Sequence, residues 1–168
     1  DIQGASKLAS GSPQGLLRTP HTLQMFKRMP QQTGQPQPVI QYLFMLLEKG
    51  SLNSVESIEL ARAHIDKDHS NLLEKWLTEG KLECSEELGD VVVQYNSDMA
   101  HAIYLRAKVP EKVISYFVHR GEFDKIVTHA NQSGYRCDYV RMLRHLVRVN
   151  APAASKFATV IATAEGGA

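Results

Sequence analysis

The sequence has few of the features that carry most binding and catalytic chemistry. It holds two cysteines, Cys84 and Cys137, too few for a disulfide framework and without the CxxC spacing of a zinc motif. Its 19 basic and 18 acidic residues leave a formal net charge of +1, without any long block of like charge. We therefore expect a reducing compartment and no nucleic-acid partner.

Long hydrophobic runs are also missing. The longest mainly apolar stretch, Val39 to Leu47, is interrupted by Gln41 and is far shorter than the roughly 20 residues of a membrane-spanning helix. We interpret it as a buried helix of a soluble domain and expect no direct membrane insertion.

No motif of an active site is present. The sequence has neither a GxSxG nucleophile elbow nor a glycine-rich phosphate loop. The densest set of potential metal ligands is His64, Asp66, Asp68 and His69. It lacks the Gly and Glu of an EF-hand and the intervening Glu of a zincin, and the spacing of His129, Cys137 and His145 fits no zinc framework. We predict a protein that is not an enzyme, with no catalytic, cofactor or metal site.

Helical periodicity fills most of the chain. From Pro38 onward apolar residues recur three and four apart, as in the pattern Leu88, Val91, Val92, Tyr95. Helix-start signals precede most of these runs: Asn53 with Glu56, Ser85, Ser97, Pro110 and Pro152. These signals predict about nine helices of roughly 9–14 residues. Residues 1–38 are rich in Gln, Pro and Gly and form a predicted linker with short helices, one of them starting at Thr19 and Pro20.

One short pattern occurs three times, as LEKGSLN, TEGKLE and HRGEFD. In each copy an apolar run ends at Gly, and Leu or Phe follows two residues later. Four glycines are predicted to stop helices as left-handed C′ residues: Gly50, Gly80, Gly121 and Gly134. The first three lie about 30 and 40 residues apart, which favours a solenoid of helix hairpins over the alternative, a non-repeating bundle. The predicted structural core includes Trp76, Leu73, Leu77, Leu88, Val92 and Phe117.

A family resemblance covers essentially the whole chain. Leu72 to Asp90 reads LLEKWLTEGKLECSEELGD and closely resembles clathrin heavy chains, as does GLLRTPHTLQMFKRMP at Gly15 to Pro30. The resemblance implies the linker and the start of the α-helical leg that follow the N-terminal β-propeller. We therefore expect an all-α fold, a right-handed α-α superhelix of short antiparallel helix pairs, with a linker at 1–38 and an α-solenoid at 39–168.

The resemblance also implies a function. Clathrin legs interdigitate into a cage around membrane cargo, so the expected role is a rigid but bendable cytoplasmic strut in coated pits and vesicles. Its expected partners are other heavy-chain legs and, as a second possibility, adaptor proteins, while the fragment alone is expected to be monomeric. The rival function is a helical adaptor module that binds a peptide, which would need exposed Arg or aromatic anchors along one face. Arg141, Arg144 and Arg148 form a basic helix face, which we interpret as a solvated face in preference to a nucleic-acid or lipid stripe because no aromatic residues interleave with it.

Overall fold

A computed structural model describes residues 2–65 and 70–165, and these residues form helices without any strand. The helices are α1 (Ile2–Ser10), α2 (Pro20–Arg28), α3 (Pro38–Lys49), α4 (Ser54–His64), α5 (Ser70–Thr78), α6 (Glu86–Val92), α7 (Ser97–Arg106), α8 (Pro110–Arg120), α9 (Phe123–Ser133), α10 (Tyr139–Val149) and α11 (Ala151–Glu165). A single 3-10 turn lies at Pro13–Gly15. The predicted all-α class is confirmed, and so is the series of short helices from Pro38.

The chain divides into two compact units, residues 1–107 and 108–168. In the first unit α1 and α2 pack on α3, α4 packs on α3, α5 and α6, and α6 pairs with α7. In the second unit α8 pairs with α9 and α10 with α11, while α11 also packs on α9. Within each unit, sequence neighbours are thus packed as hairpins, as in a helical solenoid segment.

The helix starts follow the side chains that cap them. Asn53 and Glu56 form a full capping box at α4, Thr19 caps α2, and the Ser85 hydroxyl accepts from the amide of Leu88 at α6. These predicted starts are confirmed. At α7 the structure differs by one residue, because the Asn96 side chain accepts from the Met99 amide and Ser97 becomes the first helical residue.

Three of the four predicted stop glycines share one geometry. Gly80, Gly121 and Gly134 have φ of 70°, 68° and 68°. In each case the amide of the next residue donates to a carbonyl five residues earlier, as in a Schellman motif. Gly50 also follows a helix, but its φ of 169° is extended backbone open to any residue, so the left-handed conformation predicted there is wrong.

The predicted core residues do not all have the same environment. Five are buried, with 8% exposure or less: Leu73, Leu77, Leu88, Val92 and Phe117. Trp76 is only half-buried, with its ring against Phe44 and His64 at centroid distances of 5.9 and 5.7 Å. It borders the core instead of filling it.

Two amphipathic patterns extend further in the sequence than in the fold. Helix α6 ends at Val92, so Tyr95 lies beyond it and is 65% exposed. On α10, Val140 and Val147 are exposed, because the helix turns Leu146 toward its neighbours. The apolar face predicted from Leu88, Val91, Val92 and Tyr95 is therefore wrong at Tyr95.

Candidate functional site: the joints between helices

The N-terminal segment is attached to the first helix hairpins by a buried ion pair, here called the linker clamp (Arg18, Ser51, Asn53 and Glu56). Arg18 Nε donates to Glu56 Oε1 at 3.0 Å, and Arg18 Nη2 donates both to Glu56 Oε2 and to the Ser51 carbonyl. The Glu56 side chain is 1% exposed and that of Arg18 is 24% exposed. Such a bidentate pair, with its carboxylate buried, fixes both distance and orientation.

The same carboxylate also caps α4. The Asn53 amide donates to Glu56 Oε2 at 2.9 Å, while Asn53 Nδ2 donates to the Arg18 carbonyl at 3.1 Å. The hydrogen bond from Arg18 to Glu56 raises the pKa of the guanidinium further above its ordinary value, so the guanidinium stays charged. Because one carboxylate serves both contacts, the start of α4 and the position of the linker are coupled.

Apolar packing supports the clamp on its inner side. The rings of Phe26 on α2 and Tyr42 on α3 stack at 4.4 Å with an interplanar angle of 8°. Tyr42 is fully buried, and burial raises the pKa of its hydroxyl to about 12. Lys27 on α2 pairs with Glu59 on α4 at 2.7 Å. Helix α2 is thereby held to both α3 and α4.

A second joint, the turn seam (Leu52, Ser57, Lys81, Leu82 and Glu83), connects two copies of the repeated Gly-x-Leu pattern. Leu52 and Leu82 form an isolated parallel β-bridge, in which the Leu52 amide donates to the Lys81 carbonyl at 2.8 Å. Both leucine side chains are buried. The Glu83 amide donates to the Ser57 hydroxyl at 3.0 Å. The turns that close two successive hairpins are thus joined through their main chains.

The joint between α6 and α7 depends on a missing side chain. A Cβ atom on Gly89 of α6 would lie 2.2 Å from Cε1 of the Tyr104 ring on α7. The Tyr104 hydroxyl donates to Asp90 at 2.7 Å, and burial, then this hydrogen bond, raises the Tyr104 pKa. Glycine therefore allows the two helices to approach as closely as they do.

Another contact in the first unit joins α7 to α5. Arg106, at the end of α7, donates to the Leu77 carbonyl in the last turn of α5. The same carbonyl also accepts from the Gly80 amide at 3.2 Å, and the guanidinium's charge suits the negative end of the α5 dipole.

The candidate metal ligands of the sequence lie only partly within the described residues. Among the described residues, no three His, Cys, Asp or Glu side chains are grouped to hold a metal ion. Asp66, Asp68 and His69 lie outside the described residues, and His64 is buried with Nδ1 at 3.1 Å from the Leu60 carbonyl. Burial raises the pKa of both thiols, Cys84 and Cys137, which disfavours the reactive thiolate.

Comparison with known proteins places this architecture in one family. The clathrin-H-link family model matches residues 1–46, which run through α1 and α2 into α3. Over 97% of its length the chain is 47% identical to clathrin heavy chain 1 of Arabidopsis thaliana. The chain belongs to the clathrin heavy-chain family. Clathrin heavy chain 2 of Homo sapiens is 43% identical over 94% of the chain, and the Drosophila melanogaster clathrin heavy chain is 44% identical over 96%.

The segment corresponds to a small part of the clathrin heavy chains that it matches. It spans about a tenth of the length of the curated relatives that it matches. In the part of the chain that the structure describes, no helix combines the length and the apolar character needed to cross a bilayer. The joints described above are therefore features of one stretch of a much longer family architecture.

Proposed function

We propose that this segment is a strut of a clathrin coat, without catalytic activity, joining the terminal domain to the leg. Residues 1–38 serve as the linker and 39–168 as the start of the solenoid. The proposed setting is the cytoplasmic face of coated pits and vesicles, where the segment supports endocytosis and other vesicle transport. Its proposed partners are other heavy-chain legs, which interdigitate in the coat.

The observation that carries this proposal is the way that successive hairpins are joined. The turn seam uses a main-chain bond between Leu52 and Lys81, and the linker clamp uses a buried bidentate ion pair. Each joint connects segments that are far apart in the sequence, so we expect each to restrict how far neighbouring helices can tilt. A series of such nearest-neighbour contacts transmits force along a solenoid while still permitting limited bending.

The proposal can be tested in full-length clathrin heavy chain carrying this segment. Replacing Ser57 and Arg106 with Ala removes two contacts between helices while leaving the apolar core intact. The matched control replaces Thr128 and Ser133, whose hydroxyls bond within α9 and, for Ser133, also to the Tyr135 amide in the turn that follows, and so join no two helices. Cages assembled in vitro are then imaged by electron microscopy.

We expect the Ser57/Arg106 variant to assemble but to give a broader distribution of cage diameters than the control, because a looser joint allows a wider range of leg curvature. Identical distributions for both variants, with both proteins folded, would contradict a strut role for these joints.

A peptide-binding role is the second candidate, and one feature of the second unit favours it. Arg141, Arg144 and Arg148 are all exposed on α10, and a groove lies next to the last of them.

A further inference from the structure

A groove on the second unit opens between two helix turns. One wall is the turn between α8 and α9, the other is the turn between α10 and α11, and the volume is about 490 Å³. That volume falls in the roughly 300–1,000 Å³ range of ligand pockets in proteins. The apolar part of its lining includes Phe123 and Leu146, which are buried, and Val149, which is 71% exposed. A large exposed valine beside a cleft is surface that a partner's apolar side chain can cover.

The charged side chains of the lining, Arg120 and Lys156, are both cationic. Arg120, His145 and Lys156 line the groove, and Arg148 lies on the same turn of α10 as His145 and Val149. Arg120 already pairs with Glu122 at 3.0 Å. Within residues 2–65 and 70–165, no carboxylate pairs with Arg148 or Lys156. Part of the positive charge beside the groove is therefore uncompensated.

The wider surroundings have the same sign. Residues 108–168 contain nine Lys and Arg against five Asp and Glu, whereas residues 1–107 contain ten against thirteen. The excess positive charge is thus concentrated in the unit that holds the groove. A surface field of this kind attracts acidic partners and weakens as ionic strength rises.

We propose that the groove is a docking site for an acidic protein segment that carries an apolar side chain. The apolar side chain covers Val149, and the flanking carboxylates meet Lys156 and Arg148. A flat bilayer would contact the convex arginine face of α10 more readily than a cleft between turns. A single-stranded nucleic acid would need aromatic rings for base stacking, and the groove's one aromatic residue, Phe123, is only 3% exposed. The proposal goes beyond the strut role and does not depend on it.

The first test measures binding of a short fluorescein-labelled peptide, in which glutamates flank a pair of leucines, to the whole chain by fluorescence anisotropy. Two further peptides replace the glutamates with glutamine or the leucines with serine. We expect each replacement to weaken binding about tenfold, and salt to weaken the glutamate peptide most. Equal binding of all three peptides would overturn the proposal.

Variants of the chain then locate the site. Lys156→Glu with Arg148→Glu should weaken binding of the glutamate peptide about tenfold or more. The control pair, Arg136→Glu with Arg141→Glu, changes the net charge of the same unit equally but lies before α10 and in its first turn. It should weaken binding only about twofold. Equal losses in the two pairs would mean attraction by net charge alone, without a groove site.

The apolar contact has its own matched pair on the same helix. Val149→Ala should weaken peptide binding about threefold, while Val140→Ala, 59% exposed and away from the groove, should leave it unchanged. Both sites are exposed enough that folding, followed by circular dichroism, should not change.

Two other results would overturn the proposal by assigning the surface elsewhere. Binding of phosphatidylserine and phosphatidylcholine vesicles, without binding of the peptide, would indicate a membrane contact. Alternatively, sedimentation could reveal self-association that Lys156→Glu with Arg148→Glu abolishes, again without peptide binding, which would indicate a second copy of the chain.

Discussion

Replacing Gly89 with Ala should destabilise the first unit, although glycine normally weakens a helix. The added Cβ would lie 2.2, 2.6 and 2.7 Å from three atoms of the Tyr104 ring. That ring is only 4% exposed and is held by its hydrogen bond to Asp90. Overpacking of this kind costs about 1–3 kcal/mol, and contacts this short favour the upper end. The better helix propensity of Ala returns about 1 kcal/mol. We therefore expect a net loss of about 1–2 kcal/mol.

Urea denaturation followed by circular dichroism at 222 nm measures this loss, and a second background tests its cause. In a Tyr104→Ala chain the obstructing ring is gone, so Gly89→Ala should there become neutral or stabilising by up to about 1 kcal/mol. The reasoning would be refuted if Gly89→Ala stabilised the wild-type chain, or if it cost the same in both backgrounds.

Three further predictions concern the turns and the linker clamp. Gly121→Ala should lower the free energy of unfolding, measured by urea denaturation, by about 1 kcal/mol, because the φ of Gly121 is 68°. Gly50→Ala should lower it clearly less, because Gly50 has an extended φ, and equal losses in the two variants would contradict this prediction. Arg18→Ala should lower the free energy of unfolding by about 3 kcal/mol, because it leaves Glu56 buried and unpaired. The double variant, Arg18→Ala with Glu56→Gln, should lose less stability than the sum of the two single variants, and strict additivity would exclude coupling. The pKa of Tyr42 is about 12 in the folded state and about 10 in the unfolded state. The free energy of unfolding should therefore fall as the pH rises from about 10 to about 12, and it should fall less in Tyr42→Phe. Parallel curves of stability against pH for the two proteins would contradict this prediction.

Local signals in the sequence account for much of the fold. Capping residues such as Asn53 and Ser85 act within three residues of themselves, so their role can be inferred without knowing the tertiary structure. The same holds for Gly121, whose left-handed conformation follows from the end of an apolar run. Gly50 shows the limit of this inference, because a glycine after a helix can also adopt extended backbone.

The joints could not be inferred in the same way. Arg18 and Glu56 are 38 positions apart, and nothing in either local pattern links them, although the capping box does single out Glu56. Gly89 stands inside a helical pattern, where its reason, the ring of Tyr104, becomes apparent only when α6 and α7 are packed together. The repeated Gly-x-Leu pattern pointed to Leu52 and Leu82 separately, but their pairing is a long-range main-chain contact.

The Leu52–Leu82 bridge also limits where the chain can be cut. A truncation after Thr78 would keep α4 and α5 yet remove the Lys81 carbonyl, leaving the Leu52 amide without its acceptor at a residue that is 2% exposed. Leu82 would be lost as well, so the apolar surface that it covers would face water and promote aggregation. A soluble N-terminal piece should therefore extend at least through α6. A protease that cuts the turn at Gly80 should produce two fragments that remain bound to each other.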